Sequence, residues 1–425
     1  MIVMKFGGTS VGGPQRINSV CEIIRQRLAK KPVVVVSAVS GITDKLIAYA
    51  RGEGSYREIE ERHYQIIDAL GLDRKLISKE LKELKDLGKQ QYSLALQDHI
   101  ASFGERICAR IVAYNLRKKG IPAKAYPAYE LGFVTDDNFT EAEILPQTYQ
   151  SIPRKLKNHA VPVVTGFIAK NLGGHITTLG RGGSDYTAAI LGAAVKAEEI
   201  QIWTDVCGVM TSDPKIVKKA CTVPILSFSE AAELAYFGAK ILHPKTILPA
   251  MDKDIPVRVL NTYEPRHPGT LIVRETPEKT RSIKAIACKR NVTVVHIVST
   301  RMLNSYGYMQ KIYEIFAKHG IVVDLVATSE VSVSLTVNVK NLDSVKQELS
   351  QFAKVSVLSG KSIIAVVGDG LKQNYEIPAR VFKVTSKAKI NPEIISQGAS
   401  EVNLSFVVNG EETDRIVKLL HAEFF

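Results

Sequence analysis

Along the first 275 positions, short unbroken apolar runs alternate with longer stretches of helical spacing. The runs Met1-Ile2-Val3-Met4-Lys5-Phe6, Pro32-Val33-Val34-Val35-Val36-Ser37 and Pro162-Val163-Val164-Thr165-Gly166-Phe167 read as strands. So do His175-Ile176-Thr177-Thr178-Leu179, Ile200-Gln201-Ile202-Trp203-Thr204 and Ile255-Pro256-Val257-Arg258-Val259-Leu260. After the first run, Ile17, Val20, Cys21, Ile24 and Leu28 share one helix face, and Pro14 falls in the first turn, where a missing N–H does no harm. Strands separated by helices imply crossover connections, hence a three-layer α/β domain with a mostly parallel sheet. Residues 55–97 are polar and helical throughout, predicting a helical hairpin that projects from the sheet.

Beyond about residue 280 the spacing changes. Residues 292–299 read as a strand, 307–319 as a helix, 321–328 and 331–339 as strands, 342–352 as a helix and 354–358 as a strand. The order then recurs over 363–368, 377–388, 389–396, 402–408 and 411–420. Ser329-Glu330-Val331-Ser332-Val333-Ser334-Leu335 matches Ser400-Glu401-Val402-Asn403-Leu404-Ser405-Phe406 in register, position 329 against 400. Two small α+β modules of β-α-β-β-α-β order therefore follow the larger domain.

Composition narrows the class. At 425 residues the chain exceeds one ordinary core, and 45% apolar with 23% charged residues is the balance of a globular protein. No apolar run approaches the roughly 18 residues of a membrane span, and the first residues lack a secretory signal, so no membrane partner is expected. The cysteines (Cys21, Cys108, Cys207, Cys221, Cys288) show no Cys-x-x-Cys spacing. That points to a reducing, cytoplasmic setting without disulfides or a zinc site. The net charge of +13 suits acidic small ligands. Nucleic acid is not expected, because the densest basic stretch, 75–89, alternates with Glu80, Glu83 and Asp86 and carries no stacking aromatics.

Candidate chemistry collects after the strand ends, where parallel sheets gather ligands. The first strand runs into Gly7-Gly8-Thr9-Ser10-Val11-Gly12-Gly13, with Lys5 as a fixed positive charge beside it. Alone, this reads more often as just a tight turn, and it is neither a P-loop nor a dinucleotide fingerprint. Comparable turns follow at Ser37-Ala38-Val39-Ser40-Gly41-Ile42-Thr43-Asp44, at Gly180-Arg181-Gly182-Gly183-Ser184-Asp185-Tyr186-Thr187, and from Thr204-Asp205 to Lys215. Three such turns on one sheet edge favour a polyanion site. Arg181 can clamp a carboxylate or phosphate through paired hydrogen bonds. Ser184 and Asp185 read either as helix caps or, for Asp185, as a holder of lysines or Mg²⁺. Glu105 serves either the helix dipole or a substrate ammonium, and Lys240 lies where dipole compensation is the plain reading. His175 and His243 read as structural. No nucleophile–base pair is evident, which suits phosphoryl transfer, a reaction of positioning and charge.

Lys5-Phe6-Gly7-Gly8-Thr9-Ser10, Thr165-Gly166-Phe167, Leu179 to Thr187, Trp203-Thr204-Asp205-Val206 and Phe237-Gly238-Ala239-Lys240 together resemble the aspartokinase family, and the tandem modules resemble ACT domains. The resemblance covers the whole chain and implies an amino-acid-kinase fold that transfers phosphate from Mg·ATP to the β-carboxylate of L-aspartate. It implies that Lys5 and Lys240 neutralise phosphates, that Asp185 orients these lysines, and that Gly7 and Gly8 donate amides. Thr204, Asp205, Met210 and Lys215 would line the nucleotide. Ser37, Thr43, Glu105, Phe167, Arg181 and Ser184 would hold aspartate, and no protein side chain is assigned to the metal. In the modules, Met302, Ser305, Gly307, Tyr308, Met309, Asp324, Thr328, Ser329, Glu330 and Val331 resemble the lysine-binding segments of lysine-inhibited members. Asp324 and Glu330 supply carboxylates for ammonium groups, and the 305–307 turn offers amides to a carboxylate. Met210, Cys207 and Asn304 depart from the usual Tyr, Pro and His.

By the same resemblance the catalytic domain covers 1–278. The first ACT-like module covers 299–360, inserted into a second made of 283–298 and 361–425. A homodimer through these modules and no fused homoserine dehydrogenase are expected. The alternatives are another amino-acid or carbamate kinase of the superfamily, or a non-catalytic amino-acid sensor.

Overall fold

The computed structural model describes residues 1–156, 160–238, 244–277, 283–303, 305–339, 341–371, 374–397 and 402–425. They form two compact units. The first comprises Met1–Val209, Pro224–Phe228 and 244–275; the second comprises Met210–Val223, 229–238 and the described part of 276–425. The segments 210–223 and 229–238, expected inside the catalytic domain, thus cluster with the C-terminal modules.

Strands of the first unit are β1 (Ile2–Phe6), β2 (Pro32–Val36), β3 (Ala123–Tyr126), β4 (Val134–Thr135), β5 (Val161–Thr165), β6 (Ile168–Asn171), β7 (Ile176–Thr178), β8 (Glu199–Thr204), β9 (Ile225–Ser227), β10 (Val257–Asn261) and β11 (Thr270–Val273). The main sheet has the order β3-β5-β2-β1-β8-β10-β11-β9. Its pairs are parallel except β10 with β11. β1, β2 and β5 are buried at every residue, as a sheet covered on both faces requires. The run at 175–179 behaves differently from expectation. It forms β7 of a separate small sheet, antiparallel to β6.

The helix Pro14–Arg25 has Pro at its start and buries Ile17, Val20, Cys21 and Ile24. Leu28 leaves this helix for a 3₁₀ turn, Leu28–Lys30, and stays exposed. The helices Tyr56–Ala69, Ser78–Leu87 and Leu94–Ala101 do not project from the sheet as expected. Ile59, Ile66, Ile67, Leu81 and Leu84 are buried in the same core as Met4, Phe6 and Val34. Their apolar stripes, sparse among many charges, are nevertheless wide enough to be covered.

Gly269 leads the chain back from the 262–269 loop into β11. Its φ is +68°, and a Cβ there would lie 1.9 Å from the Val259 carbonyl oxygen. Gly269→Ala is therefore expected to destabilise the protein by about 3 kcal/mol or more, combining strain with a backbone clash. Chemical denaturation measures it; a change below about 1 kcal/mol would mean the turn relaxes freely.

The second unit is one antiparallel sheet. Its strands are β12 (Ile283–Val298), β13 (Val323–Thr328), β14 (Ser332–Val337), β15 (Lys354–Gly368), β16 (Ile395–Ser396) and β17 (Asn403–Asn409), in the order β13-β14-β12-β15-β17-β16. The 354–358 and 363–368 runs are one continuous strand. Residues 283–290 of β12 pair with 362–368 of β15, and 294–298 pair with 354–358 and with β14. β12 is thus shared between the two modules rather than belonging to one. β14 and β17 are the strands of the recurring Ser-Glu-Val motif; Ser400 and Glu401 lie outside the described residues. Among the described residues, no helix is long and apolar enough to cross a membrane.

Candidate active site

Adjacent strands β5, β2, β1 and β8 end at one edge of the first unit's sheet. The loops beyond them surround a cavity of about 530 Å³. Lys5, Gly7, Gly8, Ser37, Thr43, Glu105, Phe167, Ser184, Asp185, Thr204 and Asp205 all line it. Residues far apart in the chain are thus brought together by parallel strand order.

Lys5 is 9% exposed, the last residue but one of β1, and its Nζ lies 2.6 Å from Asp185 Oδ1. The contact is an ion pair without a well-directed hydrogen bond, since Oδ1 has no such partner among the described residues. Asp185 stands in the first turn of the helix Gly183–Val195, whose cap is Gly182, with no side-chain capping bond. The plain capping role for Ser184 and Asp185 is therefore set aside. Gly7 departs from expectation: its N–H donates to the Trp203 carbonyl at 3.1 Å, extending the β1–β8 ladder. That amide is engaged with backbone rather than offered to a phosphate.

Glu105 lies in the first turn of the helix Phe103–Lys118 and is 3% exposed. The Ala38 N–H donates to its Oε1 at 2.9 Å, while Oε2 is buried with no partner among the described residues. Burial pushes this carboxyl up to about 8, against the lowering effect of the backbone hydrogen bonds. A buried carboxylate oxygen without a donor, on a cavity wall, is chemically suited to an ammonium group.

Phe167 adopts a left-handed backbone with φ +66°. The Phe167 N–H donates to Thr187 Oγ1 at 3.1 Å, and its carbonyl accepts from Leu179 N–H. Such strain in a non-glycine residue is held in place by surrounding structure and concentrates at functional sites. Arg181 is exposed and stands outside the cavity wall, with no ion pair among the described residues. Lys240 and His243 lie outside the described residues.

Sequence reasoning missed Asp98. This carboxylate, 1% exposed, accepts from the N–H groups of Thr140 and Thr178 and from the Thr178 hydroxyl. It anchors the end of β7 two residues before Gly180. Nothing local to Leu94–Ala101 signals a partner 80 residues away.

Met210 and Lys215 belong to the second unit and are described with it. Thr211 N–H donates to Cys221 O, Ile286 N–H to Thr211 O, and Thr211 Oγ1 lies 2.9 Å from His421 Nε2. Ile216 and Val217 share a core with Ile286, Ile364, Phe406 and Leu420. Met210 pairs with Thr222 across this loop. Lys215 lines a cavity of about 920 Å³ with Lys218, Lys219, Lys418 and Phe425.

The expected effector residues are also in this unit. Met302 and Met309 pack on the first module's core. Tyr308 is part of that core: it is 7% exposed, edge-on to Phe352, and its hydroxyl donates to the Phe352 carbonyl. The Ser305 N–H is engaged with the Met302 carbonyl, so it is not free for a ligand, and Gly307 caps the helix Tyr308–Lys318. Thr328, Ser329, Glu330 and Val331 are exposed around the β13–β14 turn, where Ser329 and Ser332 join by backbone and hydroxyls. The Asp324 side chain is buried and ion-paired to Lys289.

Residues 1–261 match the amino acid kinase family, and 295–351 with 364–424 match an ACT domain. The chain is 43% identical to "Aspartokinase 1, chloroplastic" of Arabidopsis thaliana, over all of this chain and 80% of that protein. A crystal structure of E. coli aspartokinase III in complex with aspartate and ADP (R-state) superposes with a TM-score of 0.84 at 35% identity, each chain covered completely. The same enzyme in complex with lysine and aspartate (T-state) gives 0.83 at 36% identity, covering all of this chain and 99% of that one. With full-length likeness in sequence and fold, and the Lys5–Asp185 pair set in a cavity at the strand ends, this chain belongs to the aspartokinases of the amino acid kinase family.

Proposed function

We propose that the protein transfers the γ-phosphoryl group of ATP to the β-carboxylate of L-aspartate, giving 4-phospho-L-aspartate and ADP. The observation that carries this is one cavity holding both a lysine–aspartate ion pair and a buried carboxylate oxygen without a donor among the described residues. Glu105 binds the substrate ammonium, which replaces the donor that Oε2 lacks. Ser37, Thr43, Phe167 and Ser184 shape the rest of the aspartate pocket, and Arg181 folds over a substrate carboxylate from the rim.

The β-carboxylate is ionised at neutral pH, so attack requires no general base. Its oxygen forms a bond to the γ-phosphorus as the bond to the β–γ bridging oxygen breaks, and the electron pair leaves with ADP. Lys5, held by Asp185, neutralises charge on the transferring group, together with Lys240. Thr204 and Asp205, on the cavity wall, serve the nucleotide. Asp185 and Asp205 are the cavity carboxylates that would face an Mg²⁺ carried by ATP, whose chemistry is charge neutralisation on the phosphates. L-Lysine binds the second unit through Asp324 and Glu330 and restrains the reaction, and a homodimer forms through the ACT-like modules.

Aspartate-dependent ADP release tests the reading, with L-glutamate and N-acetyl-L-glutamate as comparison substrates. Turnover with aspartate alone is expected. Turnover with either comparison substrate but not aspartate would sink it.

A further inference from the structure

Asp324, the carboxylate expected to receive an effector's ammonium, already has one. Lys289 Nζ lies 2.8 Å from both Oδ1 and Oδ2, and Asp324 retains only 3% of its side-chain exposure while Lys289 retains 20%. The Tyr236 hydroxyl donates to the same Oδ1 at 2.5 Å, and the Lys289 ammonium sits 4.8 Å from the Tyr236 ring centroid. Burial raises the Tyr236 phenol, and its hydrogen bond to Asp324 raises it further. The three side chains form a closed cluster in which each touches the other two.

Tyr236 ends the helix Phe228–Tyr236, and the chain proceeds through Phe237-Gly238-Ala239 to Lys240. Gly238 has φ +119°, and a Cβ there would lie 2.7 Å from the Cys288 carbonyl oxygen. Gly238 therefore lies directly against β12 at Cys288, next to Lys289 in the chain, with no room for a side chain.

We propose that Lys289 is a built-in occupant of the effector's ammonium subsite on Asp324, and that an amino acid with a second ammonium acts by displacing it. The proposal rests on the effector reading above. Exchanging one ammonium for another leaves the Coulomb attraction nearly unchanged, so effector affinity is set largely by what releasing Lys289 costs. Displacement also removes the cation from the Tyr236 ring and alters the acceptor of its hydroxyl. The end of the helix four residues before Lys240 is thus the element that the effector biases.

The test uses the full chain, L-lysine as probe, calorimetry for binding and ADP release for inhibition. Lys289→Met and Lys289→Gln are expected to lower the Kd for L-lysine about tenfold, because Asp324 loses its internal counter-ion. Tyr236→Phe is expected to keep Kd within about threefold while saturating L-lysine inhibits less than about half as strongly, each inhibition taken relative to that variant's own activity without L-lysine. Circular dichroism confirms folding, and Lys289→Gln, which preserves polarity, serves if the methionine variant does not fold. Binding to the Lys289 variants but not to the parent also supports the proposal. Equal Kd values in the parent and both Lys289 variants overturn the displacement while leaving the effector reading intact. Full inhibition of Tyr236→Phe overturns the link to Lys240. Absence of binding to all forms overturns the effector reading and the proposal together.

Discussion

Glu105→Gln is expected to raise the KM for aspartate about a hundredfold or more, with a smaller change in kcat. Oε1 of the parent accepts the Ala38 N–H, and the glutamine carbonyl can do the same. What is lost is the charge at Oε2, buried and without a donor among the described residues. In the ligand-free protein the carboxyl, pushed up to about 8, is mostly protonated at pH 7. An ammonium favours the ionised form, so aspartate binding near neutrality expels a proton. The KM for aspartate should therefore fall as pH rises towards 8, by up to about tenfold per unit, and be flat in Glu105→Gln.

The same shift has a stability consequence. The folded value lies above the ordinary 4.5, so the folded protein holds the extra proton between about 4.5 and 8. Its contribution to stability is present below that window and lost as pH rises through it. Kinetics across pH 6–9 supply the check; a glutamine variant with a KM within about threefold of the parent would remove Glu105 from substrate recognition.

Lys5→Met is expected to leave the protein folded and lower kcat at least about a hundredfold, roughly 2.7 kcal/mol of transition-state stabilisation. The loss is double. A cation facing the transferring phosphoryl group disappears, and Asp185, whose side chain is only 14% exposed, keeps its negative charge beside the phosphates without a counter-ion. Adding Asp185→Asn to Lys5→Met should cost little more, because the two side chains act as one unit. Near-parental kcat in folded Lys5→Met would contradict the assignment, as would independent, multiplying losses in the double variant.

Much of this was legible along the chain. Continuous valines at 33–36 can only be a strand covered on both faces, and the 329 and 400 repeat announces paired modules before any coordinates. Lys5 next to glycines reads as an anion site only together with the similar turns at the other strand ends, because parallel strand order concentrates such ends at one edge. What escaped local reading are interactions whose partners lie far away. Asp98 bonds Thr178, and β12 and β15 run through both modules as single strands. Gly7 shows the reverse error: a residue right in type but with its amide already taken by Trp203.

The order of residues alone thus determined the α/β class and the tandem modules, while the side chains expected to meet phosphate and carboxylate follow from the resemblance of its motifs to a family. Class and modules are set by periodicity and by residue type, both properties of the chain itself. Only the tertiary structure decided which groups are left without partners and which are already paired. Glu105 Oε2 is buried with no donor among the described residues, whereas Asp324, read from the sequence as an open carboxylate, is closed by Lys289 and Tyr236. Desolvation and pairing depend on what packs around a group in space, and so neither can be read from its neighbours in the chain.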